Sequence, residues 1–226
     1  MKLIKRITLL LLVGVVMSGV CGCVKKEKID SDGIIRQLNA KYNDSFTLVS
    51  SGNELWTEEY SELICFSEVL NADVVVWVYS DGLITDNYLA VKYKSEVEFL
   101  VLPIAEDIYG QGFCKVVNIP IHYGKSHFNE KMDFSEYVSN KQSSLSIAIA
   151  TSKDVSSARE DVEELVLQLK ENGVVASIRV FYYDAGIFKS VMETNDPTTI
   201  FSPTSNKRLS ATMNADYSIG SVDWSE

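Results

Sequence analysis

Residues 144–183 read SLSIAIATSKDVSSAREDVEELVLQLKENGVVASIRVFYY, and this stretch decides the fold. Its ends, SLSIAIA and VVASIRVFYY, are short apolar runs of strand length. Between them Val155, Ala158, Val162, Leu165, Val166 and Leu169 recur every three or four residues, which predicts a helix from Val155 to Asn172 with one apolar stripe. Ser157 and Glu160 have the spacing of a capping box, and Asn172-Gly173 supplies the stop. A strand, helix and strand joined by short loops form a crossover that places the two strands parallel in one sheet.

The same order recurs upstream, within residues 72–119. ADVVVWVYS (72–80) reads as a strand whose residues 74–79 are apolar on both alternating faces, as in a strand covered from both sides, and its Trp77 and Tyr79 share a face that reads as core rather than as a ligand platform. In residues 86–112 Leu89, Tyr93, Val97, Leu100, Ile104 and Ile108 keep helical spacing, with Thr85 or Asp86 to start the helix and Gly110 to end it. Pro103 lies inside this helix, where it removes a backbone hydrogen bond and crowds the carbonyl of Phe99, so a kink or break is expected there. FCKVVNIPI (113–121) reads as the second strand. The two units do not share enough residues to be called a duplication.

Around these units, SDGIIRQLNAKYN (31–43) reads as a short helix, SFTLVSS (45–51) and ELICFSEV (62–69) as strands, and Asn71 as a turn. DFSEYVSNK (133–141) is a short helix, TNDPTTIFSPTSNK (194–207) a loop, and RLSATMNADYSIG (208–220) a final strand. The expected fold is a single α/β domain over residues 31–226, with a mixed sheet, helices packed on it and two strand–helix–strand units.

The start of the chain is of a different kind. MKLIKR carries three cations and no acid, and the next eleven residues, ITLLLLVGVVM, are apolar but for one threonine. That is the charged head and short apolar run of an export signal. It falls short of the roughly 20 apolar residues that cross a bilayer. SGVCGCVKK (18–26) follows, and here the chain resembles bacterial lipoprotein precursors: Val20, Cys21 and Gly22 precede Cys23 as an aliphatic residue, a spacer and a small residue precede the modified cysteine. Counted from Cys21, branched Val20 would flank the cut, so Cys23 is the better match. The resemblance implies a signal peptide over residues 1–22, cleavage after Gly22 and diacylglyceryl attachment to Cys23. Residues 23–30 would then be the lipidated cysteine and a short tether, holding the domain at the extracytoplasmic face of the cell membrane through acyl chains. Each buried methylene contributes about 0.8 kcal/mol, so two or more chains hold a protein stably where one does not.

Composition narrows the partners. Beyond residue 22 there are 18 Lys and Arg against 31 Asp and Glu, a net charge of −13. Such a chain lacks the basic surface that neutralises phosphates, so no nucleic-acid partner is expected. The 46% apolar content is that of a folded protein.

No chemistry is assigned by motif. His122 and His127 lie five apart with Glu130 and Asp133 nearby, but without the helical spacing of a zinc-binding pair they read as loop histidines, and no metal or cofactor is expected. Cys65 and Cys114 sit in apolar runs as core thiols, with a disulfide between them left open by export. No G-x-S-x-G, phosphate-binding glycine loop or C-x-x-C occurs beyond Cys23, and no catalytic residue is expected. Tyr182, Tyr183 and Trp224 could present rings to a sugar or protein partner, but strand alternation sends at least one tyrosine inward. The sequence therefore points to a non-catalytic binding or accessory module with an unspecified protein or glycan partner. An anchored hydrolase with an unrecognised site and a small two-lobed solute-binding protein are the alternatives.

Overall fold

In the computed structural model, residues 30–52, 60–118, 131–140, 145–194, 207–213 and 219–225 are described. The fold is α/β, with helices packed on two sheets, one antiparallel and one mixed. The described residues from Ile35 onward pack as one unit.

Helix α1 (Ser31–Tyr42) opens on Asp30, whose Oδ1 accepts the Gly33 N–H at 2.9 Å. Strands β1 (Phe46–Ser51), β2 (Tyr60–Ser67), β3 (Ala72–Tyr79) and β4 (Ile84–Asp86) follow as an antiparallel meander in sequence order. Asn71, at φ 50°, makes the predicted turn between β2 and β3. Trp77 and Tyr79 are each 5% exposed, core residues as expected.

The predicted helix over residues 86–112 forms as two pieces, α2 (Tyr88–Lys92) and α3 (Lys94–Tyr109). The interruption falls at Tyr93, and α3 runs unbroken through Pro103, so of the kink or break expected at the proline the break does not occur. Pro103 and Phe99 both lie on the exposed face, so the Phe99 carbonyl that loses its donor is on the side of the helix open to water. Gly110 ends α3 at φ 94°, with its N–H on the Glu106 carbonyl.

The mixed sheet contains β5 (Cys114–Asn118), β6 (Leu145–Thr151), β7 (Ala176–Tyr182), β8 (Lys207–Met213) and β9 (Ile219–Ser225), again in sequence order. Only β6 and β7 are parallel, in register from Leu145 opposite Ala176 to Thr151 opposite Tyr182. Between β5 and β6 lies α4 (Phe134–Ser139); a 3-10 turn (Val155–Ser157) and α5 (Ala158–Glu171) connect β6 to β7; α6 (Ala185–Glu193) follows β7.

Two topological expectations change. The unit over residues 144–183 closes a parallel pair, but the one over residues 72–119 does not, because β3 and β5 belong to different sheets. The cause is β4: it pairs with β3, setting Asp86 opposite Val76, so α3 starts from a finished edge and leads to a new sheet. The single strand expected over residues 208–220 is instead parts of two paired strands, β8 and β9.

Every residue of β6 is buried, because both faces of the mixed sheet are covered. Ala148 and Ala150 point towards α6, in a cluster with Val117, Phe181, Tyr183, Phe188 and Val191. Ile147 and Ile149 point the other way. There α3 packs on β5 and α5, and Val162, Leu165 and Leu169 of α5 are fully buried. Gly173, at φ 70°, completes the predicted stop.

Candidate functional site

In a parallel strand pair, the carboxyl end is where the chain turns away and side chains converge. At that end of β6 and β7 stand Thr151, Lys153, Ser157, Asp161, Tyr109 and Tyr182. Thr151 is fully buried; its Oγ1 donates to the Phe113 carbonyl at 2.9 Å and accepts the Lys153 N–H at 3.1 Å. That fold of the backbone turns Lys153 over the end of α3, where Nζ donates to the Ile108 carbonyl at 2.9 Å and to Asp161 Oδ1 at 2.7 Å. Ser157 Oγ donates to the other carboxylate oxygen of Asp161 at 2.9 Å. Asp161, 8% exposed, thus joins β6, α3 and the first turn of α5.

This arrangement corrects the expected capping box. Ser157 is the N-cap of α5 but makes no side-chain cap; its hydroxyl is turned towards Asp161 and donates there. Asp154 caps the preceding 3-10 turn instead, accepting the Ser156 N–H at 2.8 Å.

Beneath Lys153 lie the rings of Tyr109 and Tyr182, edge to face with centroids 6.3 Å apart. Lys153 Nζ is 6.0 Å from the Tyr109 centroid. Both hydroxyls are buried, and neither has a well-formed hydrogen bond; the interaction each does have is with the other. Burial pushes both phenols above their ordinary range and keeps them neutral; the interaction between the two hydroxyls raises Tyr109 further and partly offsets the rise at Tyr182, and the carboxylate of Asp161 adds a smaller upward push to each. The lysine's counter-ion is the chain's own Asp161, which takes its donors from Lys153 and Ser157 and not from the tyrosine hydroxyls.

A second polar cluster ties α1 to the antiparallel sheet. Asp86 accepts from Lys41 Nζ at 2.8 Å, from the Tyr42 hydroxyl at 2.7 Å and from the Tyr88 N–H at 3.0 Å. The rings of Tyr42 and Tyr88 stack at 3.8 Å. Asp44 accepts from the Ser67 hydroxyl and from the Val69 N–H. Each carboxylate is thereby engaged by partners from its own chain.

The residues singled out from sequence fall as follows. Cys23, His122, His127 and Glu130 lie outside the described residues. Asp133 caps α4 in a capping box with Glu136: its Oδ1 accepts the Glu136 N–H at 2.9 Å. Cys65 and Cys114 are free, buried thiols, one in each sheet. Burial pushes both up to about 11, with Glu106 adding to the effect at Cys114, so the thiolate is scarce at neutral pH. Tyr182 and Tyr183 are both interior, at 2% and 5% exposed, under opposite faces of the mixed sheet. Trp224 lies on β9 opposite Leu209, its side chain outside the described set.

Lys153, Asp161 and Tyr109 carry no sequence motif; the only sign was the placement of Asp161 in the first turn of a well-marked helix. Among the described residues, no group of three or more His, Cys, Asp or Glu is placed to hold a metal ion, and no helix is long and apolar enough to cross a membrane. No family model, curated protein or solved structure matches this chain.

Proposed function

We propose that this chain is a lipid-anchored extracytoplasmic protein, tethered through Cys23, whose folded part is a non-catalytic binding or accessory module. The observation that carries the anchor is the order of three cations, an eleven-residue near-continuous apolar run and V-C-G-C ending at Cys23. The module reading is supported by the state of the polar groups: Asp44, Asp86, Asp133 and Asp161 are each engaged within the chain, and both thiols are held protonated. A nucleophile needs an adjacent base or a lowered pKa. Cys65 and Cys114 have the opposite shift. The two-lobed solute-binding alternative gains no support, since both sheets belong to the one unit from Ile35 onward.

The test is metabolic labelling with a fatty acid in a bacterial host, followed by intact-mass analysis. The wild-type chain should incorporate lipid and lose residues 1–22, Cys21→Ser should do the same, and Cys23→Ser should carry no lipid. Lipid retained on the Cys23→Ser chain would overturn the anchor assignment.

A further inference from the structure

We draw no further inference here: the strongest candidate, the edge of β1 that pairs with no strand among the described residues and exposes Leu48 and Val49 beside its bulge, is one six-residue strand, and nothing in the structure shows what covers it.

Discussion

Tyr109 and Tyr182 should each be replaceable by phenylalanine with a gain in stability. The two residues are 3% and 2% exposed, and neither hydroxyl has a well-formed hydrogen bond, each having only the other to interact with. A buried hydroxyl without a well-formed hydrogen bond costs roughly 1–3 kcal/mol relative to water. Phenylalanine keeps the ring, and so keeps the edge-to-face contact at 6.3 Å, while deleting the polar atom. The small void left behind costs up to ~1 kcal/mol. The expected net gain is therefore about 1 kcal/mol for either variant. In a domain of this size that raises Tm by roughly 2–4 °C. Urea unfolding followed by far-ultraviolet circular dichroism gives the same quantity as a rise in midpoint at constant m. The double variant should gain less than the sum, because the first substitution already relieves the crowding of two dipoles beside Asp161. A loss of 1 kcal/mol or more in either single variant would refute the reasoning, since it would mean that the hydroxyl is hydrogen-bonded in solution.

On α5, Leu165→Ala should cost about 2–5 kcal/mol, because Leu165 is fully buried, whereas Leu167→Ala, at 49% exposure, should stay within about 0.5 kcal/mol; equal costs in denaturant unfolding would contradict the assigned stripe. Asp161→Ala strips Lys153 and Ser157 of their shared acceptor and should cost about 1–3 kcal/mol, with Asp161→Asn recovering part of it; an unchanged unfolding midpoint for Asp161→Ala would argue against the junction. Cys65 and Cys114 have folded pKa values raised from 9.0 to about 11, so the native state holds protons that the unfolded chain releases. Their contribution to stability is intact below about pH 9 and is lost as pH rises towards 11. Replacing both by alanine should flatten the fall of unfolding midpoint across that window, and an equally steep fall in the double variant would remove the thiols from the account.

The unit over residues 144–183 was legible because its signals agree at every level: apolar runs of strand length, a clean three-to-four period and a Gly stop at residue 173. Residues 72–119 carried the same outward signs and misled. What decided their topology was β4, three residues long, too short to leave a periodic trace but long enough to finish the first sheet. Helix α6 went unread for a similar reason: nine residues give only about two and a half turns, and Ile187, Phe188 and Val191 look like an irregular apolar stretch until the helix is laid on Ala148 and Ala150. Missing α6 also left the second tyrosine without a cover, although alternation already placed Tyr182 and Tyr183 on opposite faces. At Pro103 the rule about broken helices yielded to exposure, since a carbonyl facing water can lose its donor at small cost. The polar junction around Asp161 was illegible because its members come from α3, the β6–α5 connection, α5 and β7, and no local spacing links Tyr109 to Tyr182.

In both sheets, each strand lies beside the strand that comes next in the chain. None has to wait for a partner made much later. A polypeptide delivered amino end first, whether from a ribosome or through a membrane pore, can then assemble in the order of its arrival: each new strand meets an edge that is already laid, and the loop to be closed is always the most recent one. Topologies of this kind pay loop-closure entropy in small instalments. For a chain that folds as it emerges, that order keeps the length of unpaired strand exposed at any moment to about one element, and so limits the time in which neighbouring copies could pair in the wrong place.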